Sequence, residues 1–425
     1  MLYMVWNIQP SGAMPKQLIY GIPYEMLQQM EKDGTSPGFY EDSGPLSQES
    51  RGTHADREML KNALFQLMRE NGVELYMNTT MVDAIVEKGA TMGAVVQSKT
   101  ERFAILSKVT VDASGDGDAA CLAGANCKQY PSHNVGMSFG MTNVNFEKAR
   151  DYAIEKSALV HLSYGKSGEM KDKIIRLGIR PFVIPELFEY LPHAGIHQSF
   201  CVLSSHEGEA TYINGVNVFS GLIKSGGTAD ENAEDQSKIW RVKKAEAGGS
   251  NILDRKKTSE TIITLRENMV KSAEFLNKHI PGFENAYLTW TSVVPGARRT
   301  RYVECEVDIS ADDITYAVIP ENSIGLFGAQ DAHFRGFDVE GGKWYGIPYR
   351  ALQPKFVKNM LVAGRMISSD WVAHMSTRLI GACFLQGQAA GTAAAMSAKQ
   401  GICPKELDPK QLRAQLLKDG VFLGD

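Results

Sequence analysis

Apolar residues recur at helical spacing early in the chain. In GIPYEMLQQMEK (21–32), Ile22, Met26 and Met30 stand four apart and predict an amphipathic helix that stops at the turn signal GTSPG. Asp56 can cap a second helix, REMLKNALFQLMRENG, whose Leu60, Leu64 and Leu67 form an apolar stripe before Gly72 ends it. The period then changes. VELYMNTT reads as a strand, and VDAIVEK, MGAVVQS and RFAIL predict three short strands joined by turns, a meander. SKVTVDASGDGD carries a buried strand into a loop dense in glycine and aspartate. Further on, ETIITLRENMVKSAEFLNKHI is helical, and NMLVAGRMISS is a strand entering a Gly-Arg turn. GACFLQGQAAGTAAAMSAKQG is a helix of small residues, and DPKQLRAQLLKDG is a capped terminal helix. The opening MLYMVWNIQPSGAMP offers neither a clean strand nor a capped helix and reads as a segment from within a fold.

A length of 425 residues exceeds what one hydrophobic core usually supports and predicts more than one domain. The apolar fraction of 43% and charged fraction of 22% exclude a disordered or fibrous chain. A net charge of -4 with mixed signs leaves no footprint for nucleic acid or an anionic membrane, so small-molecule chemistry is the expectation. Cys121, Cys127, Cys201, Cys305, Cys383 and Cys403 form no CxxC pair, which argues against a disulfide framework and a cysteine zinc site and suits a reducing cytoplasm. No run of apolar residues is long enough to span a membrane, and no secretory signal opens the chain. The acidic run DENAEDQS (230–237) reads as a solvated helix start.

Three constellations carry candidate chemistry. VDASGDGD, Val111 to Asp118, breaks an apolar strand at glycines that expose backbone N–H groups at its carboxyl end, where open α/β sheets bind ligands. A tight turn with solvent-facing aspartates gives the same pattern. The second runs from Gly364 and Arg365 through His374, Ser376, Thr377 and Arg378 to Gly387, Gln388, Ala389, Ala390 and Gly391. Small residues at a helix start let backbone amides approach a ligand, and the helix dipole favours negative charge there; the same residues also let two helices pack tightly. The third is Arg298, Arg299 and Arg301 in GARRTRY. If extended, Arg299 and Arg301 face one side, and arginine forks suit an acidic substrate, although surface salt bridging is nearly as good an account. His193 and His197 have metal-pair spacing, but Pro192 precedes them, Gly195 separates them and no third ligand follows, so no metal site is expected. His333, in DAHFRG, can act as an acid or base or be an ordinary surface histidine.

Together these pieces resemble the FAD-dependent oxidoreductase family, distantly related to fumarate reductase and succinate dehydrogenase flavoproteins. The resemblance runs in order through ADREMLKNALFQLMRENGVELYMNTTMVDAIV, VTVDASGDGDAACLAGA, IPGFENA, GARRTRYV and YGIPYRALQPKFVKNMLVAGRMIS to HMSTRLIGACFLQGQAAGTAAA. It implies an α/β fold: a discontinuous, Rossmann-like FAD domain (1–133 and 323–425) with a β-meander, interrupted by an α+β substrate domain (134–322). It also implies that Val82 contacts the adenine side and that Ala113, Ser114, Gly115 and Asp116 line the adenosine. Gly364 and Arg365 would approach the pyrophosphate and ribityl chain, and Gly387 through Gly391 would set a helix start against the isoalloxazine, with Arg378 nearby.

The departure from that family pattern is the strand–GxGxxG–helix that normally opens such proteins; no GxGxxG occurs in these residues, which reads as a truncated N-terminus. The expected function is hydride transfer between a small, anionic substrate and flavin. Arg298 and Arg301 would position substrate, Arg378 would stabilise negative charge, and His374 or His333 would move a proton. An electron donor or acceptor is a further expected partner. Two alternatives stay open: a non-catalytic subunit that has lost flavin, and a half-enzyme completed by a separate chain carrying the phosphate loop.

Overall fold

The computed structural model describes residues 4–7, 17–38, 40–41, 51–53, 55–129, 135–196, 200–217, 222–224, 240–242, 252–328, 339 and 344–424. His333, His197 and the acidic run 230–237 lie outside them. The helices of the described residues are α1 (Ile22–Lys32), α2 (Arg57–Glu70), α3 (Asp118–Leu122), α4 (Phe146–Glu155), α5 (Arg255–His279), α6 (Ala311–Thr315), α7 (Trp371–Thr377), α8 (Ile380–Gln400) and α9 (Pro409–Lys418). With several sheets, the fold is mixed α/β. Two compact units divide the chain: unit 1 holds Met1–Leu2, Met30–Met59 and Pro131–Thr300, and unit 2 holds Tyr3–Gln29, Leu60–Tyr130 and Arg301–Asp425.

Unit 1 is built on an antiparallel sheet in the order Leu159–Tyr164, Ile174–Ile179, Phe200–Leu203, Ala210–Asn217, Val135–Thr142 and Tyr287–Thr291, with Gly296–Ala297 also paired to Val135–Thr142. Alternate residues of a strand face one side, so Val135, Met137, Phe139 and Met141 all enter one core. There Phe139 stacks on Tyr212 at 4.9 Å, and Leu265, Met269 and Leu276 of α5 cover them. Burial holds the Tyr212 phenol far above its usual range, so this core is neutral.

Asp56 starts α2 as its position in the sequence predicts: Oδ1 accepts from the amides of Glu58 (3.0 Å) and Met59 (2.8 Å). Its other oxygen faces His206 Nε2 at 3.3 Å, while His206 Nδ1 faces Glu169 at 3.4 Å. Burial opposes charge on this imidazole, but the hydrogen bond to Glu169 and the charges of Asp56, Glu169 and Glu209 outweigh it and raise the pKa. A raised folded pKa means the bridge stabilises below histidine's ordinary pKa and is lost as pH rises through the raised one. Thermal melts of the wild type should therefore lose stability across that step, and His206→Gln should flatten it; a step of equal size in the variant would remove His206 as its source.

Unit 2 contains the meander Thr80–Glu87, Ala90–Gln97 and Arg102–Leu106, paired as the alternating pattern predicts. The expected strand over VELYMNTT does not form: residues 73–79 are irregular, and the first meander strand begins at Thr80. Strand formation needs a ladder partner, and none engages these residues among those described. Below the meander, Thr110–Asp112 pairs in parallel with Met360–Val362, in the register Thr110↔Met360 to Asp112↔Val362. This pair, joined from distant parts of the sequence, carries the candidate site.

Candidate functional site

Both strands of the parallel pair end together, and Ala363 N donates to Asp112 O (2.9 Å) where they part. From Asp112 the chain enters the Asp-Gly loop, which one carboxylate organises. Asp112 Oδ1 accepts from Ser114 N (2.9 Å) and Oδ2 from Ala120 N (2.8 Å), so the side chain ties the loop to the first turn of α3. Gly115 and Gly117 adopt φ of +82° and +70°, the left-handed conformation that lets so short a loop turn. Ala113 and Ser114 are exposed at its tip, and Gly115 is buried because the Arg365 guanidinium lies where a Cβ would stand.

Arg365 closes over this loop: its Nη2 pairs with Asp116 Oδ1 at 2.8 Å. Arg301 reaches in from its own strand, Nε donating to Asp116 O (2.9 Å) and Nη2 pairing with Asp118. Burial pushes the Asp118 carboxyl up, and the repulsion of Asp116 and Asp112 adds to it against the opposing charge of Arg301. Arg301 thus serves the loop. Its neighbours behave differently: the chain bends through Arg298 to Thr300 instead of running extended, leaving Arg298 exposed and Arg299 fully buried in unit 1.

Gly364, at φ +113°, makes the turn that follows the second strand. Its N–H donates to Gln386 Oε1 (2.7 Å), and Gln386 Nε2 donates to Thr377 O (2.8 Å), so one buried amide on α8 joins the Gly-Arg turn to the junction of α7 and α8. That junction is tight. Arg378 closes α7 and Leu379 opens α8, with no side chain capping the amides that follow. Thr377 Oγ1 and Arg365 Nε are buried without a hydrogen-bond partner among the described residues. Cys383, in the first turns of α8, donates to Arg378 O at 3.3 Å; burial pushes its thiol up to about 12 despite Arg365 and Arg378 nearby.

The helix start that the resemblance implies at Gly387–Gly391 is corrected: the 21-residue helix runs from Ile380, one residue before the GACFLQGQ pattern puts it, and those residues lie in its interior. Ala389 and Ala390 are buried, and Gln388 is used locally, its Oε1 accepting from Ile22 N (3.2 Å) at the start of α1. Gly387 and Gly391 are exposed, and a Cβ at either meets nothing within 4 Å. Gly387→Ala should accordingly stabilise by about 0.5–1 kcal/mol through helix propensity. A lower melting temperature would show that something fills that space.

His374 is fully buried within α7, and Val82 is exposed on the first meander strand. The sequence reading missed Gln386, which a polar residue amid small ones could have signalled. It also missed the link between Cys121 and Cys127. These cysteines form a disulfide with Cα atoms 5.9 Å apart, where the absence of CxxC pairs argued against a disulfide framework, because Gly124 (φ +90°) turns the chain back directly after α3.

Residues 3–416 match the model of the family described as FAD dependent oxidoreductase. No curated protein matches the chain. Similar solved structures include a geranylgeranyl bacteriochlorophyll reductase-like protein from Thermoplasma acidophilum, 12% identical over 98% of this chain and 76% of that one, with a TM-score of 0.45. Another is p-nitrophenol 4-monooxygenase PnpA from Pseudomonas putida DLL-E4, 9% identical over 97% and 78%, at 0.43. The flavin-dependent brominase Bmp2 is 11% identical over 95% and 74%, at 0.40.

Proposed function

The chain belongs to the FAD dependent oxidoreductase family, and from that premise we propose that unit 2 holds FAD with the Asp112–Asp118 loop, the Gly364–Arg365 turn and the amino end of α8. The supporting observation is that three sets of unspent donors meet at the carboxyl end of one parallel strand pair. These are the exposed hydroxyl of Ser114, whose amide is already spent on Asp112, the buried Arg365 Nε and Thr377 Oγ1, and the uncapped first amides of α8, as seen among the described residues. A phosphate- and carbonyl-rich dinucleotide presents the acceptors those donors lack. Bound FAD supplies hydride acceptance or donation. The protein's own part is orientation and charge: Arg365 keeps the loop closed through Asp116, and Arg378 beside the α8 start balances negative charge.

The reaction proposed is oxidation or reduction of a small anionic substrate by hydride transfer. Arg301 is committed to the loop and does not contact the substrate. A second reading, completion by a further polypeptide, is favoured by the exposure of Phe65, Met68, Val73, Tyr76 and Met77 along α2 and the segment after it, more contiguous apolar surface than scattered surface residues provide.

The test is the visible absorption spectrum of the purified chain after FAD addition and gel filtration. Retained flavin bands that weaken in Arg365→Ala support the first reading. Flavin retained only after mixing with a polypeptide carrying a strand–GxGxxG–helix supports the second, and a colourless protein under both conditions rejects both.

A further inference from the structure

We propose that Cys121 and Cys127 form a thiol–disulfide switch that sets the order of the Asp112–Asp118 loop, and through it the affinity for the nucleotide. The switch itself rests on geometry; its effect on affinity rests on the reading above that this loop meets FAD.

The two sulfurs close a circuit of contacts within unit 2. Cys121 is the penultimate residue of the short helix α3, whose first turn is tied to the loop by Asp112 Oδ2 and Ala120 N. Cys127 opens the strand Cys127–Gln129, which pairs antiparallel with Arg301–Val303 in the register Cys127↔Val303. From that second strand Arg301 reaches back to Asp116 O and Asp118. Val303 Cγ2 also limits the loop, lying 2.8 Å from where a Cβ at Gly117 would stand. The loop, α3, the disulfide, the strand pair and Arg301 thus form a closed ring, and the S–S bond is its covalent link.

Without that bond, α3 depends on the side-chain contacts of its first turn, where Asp112 Oδ2 accepts from Ala120 N and Ser114 Oγ from Asp118 N. It is a five-residue helix, its N-cap Gly117 offers no side-chain cap, and Leu122 beside Cys121 is 43% exposed. A helix so short has little stability of its own. Cys121 and Cys127 are both half-buried, within reach of a small reductant, whereas Cys201 and Cys305 are buried.

The chemistry is ordinary exchange with a dithiol reductant. A reductant thiolate attacks one sulfur, the other leaves as a thiolate and takes a proton, and the reductant's second thiol closes its own disulfide as the second protein thiolate leaves. Two electrons pass to the protein cysteines. A small-molecule disulfide oxidant drives the reverse.

Alkylation with mass spectrometry on the full chain, before and after dithiothreitol, should show Cys121 and Cys127 protected only in the non-reduced protein. Amide exchange is then compared between the two forms. Residues 114–122 should exchange at least roughly tenfold faster on reduction, since the cross-link that restricts the open ensemble is gone, while the meander is unchanged. The double variant Cys121→Ser, Cys127→Ser should show the fast rate with or without reductant. Free thiols at both positions in air-oxidised protein, or equal exchange in the two forms, overturns the switch. FAD affinity, read by flavin fluorescence, should fall at least roughly tenfold on reduction. A loop that loosens while FAD affinity stays constant overturns the nucleotide link and leaves the disulfide's hold on the loop standing. A chain that takes up no FAD in either form counts against the cofactor reading instead, and the exchange rates still decide the switch.

Discussion

Asp112→Ala is expected to destabilise unit 2 by about 3–6 kcal/mol and to abolish flavin retention. Asp112 is 2% exposed, and its two oxygens serve different parts of the site, one holding Ser114 N in the loop and the other Ala120 N in α3. Each is a bond to a carboxylate, worth about 1.5–3 kcal/mol, and truncation leaves both amides without a protein acceptor, the Ala120 one in a buried setting. Asp112→Asn keeps one acceptor oxygen and places an NH2 group against the other amide, so it should recover about half of the loss. Urea unfolding of the three proteins checks the order. Its informative feature is the coupling: if Asp112→Ala unfolds like the wild type but loses flavin, the carboxylate touches the ligand and does not build the loop. Equal stability together with equal flavin retention removes Asp112 from the site altogether.

The sequence made much of this region legible, and where it did not, the reasons are physical. Local signals worked where a side chain bonds its own backbone neighbourhood: Asp56 caps α2, and Asp408 caps α9 by accepting from Lys410 N (2.9 Å). Alternation located the meander, because a strand pattern paired through tight turns specifies its own partners. VELYMNTT has the same pattern yet forms no strand among the described residues, since β propensity without a neighbouring strand satisfies no backbone group. The pattern puts the α8 helix at Gly381, one residue from its start at Ile380, and only the resemblance sets a helix start at Gly387–Gly391. Leu379 is not a capping residue, and the local rule that finds helix starts looks for a side chain that caps the amides. The arginine cluster misled through a different route: three adjacent guanidinium groups suggest one shared task, but the bend at 298–300 sends Arg299 into a core and Arg301 to the loop.

Gln386→Leu is the substitution expected to separate fold from site most sharply. The side chain is fully buried and spends both of its polar atoms, accepting from Gly364 N at 2.7 Å and donating to Thr377 O at 2.8 Å. Leucine is close in volume, so packing changes little, while the half-buried Gly364 donor and the buried Thr377 acceptor lose their partners. At about 1–3 kcal/mol for each group, the loss should be about 2–6 kcal/mol. The functional cost should be larger than stability alone predicts. Gln386 is the bond that fixes the Gly-Arg turn against the α7–α8 junction, and a ligand held by both must lose affinity once they drift apart. Gln386→Glu is the companion, since it keeps the acceptor for Gly364 N but loses the donor to Thr377 O. It should hold the turn and release the junction, giving intermediate flavin affinity. Calorimetry and flavin titration on both variants distinguish the cases. If Gln386→Leu melts several degrees lower but binds flavin as the wild type does, the junction and the turn do not act on a shared ligand, and the α8 start must be removed from the cofactor site.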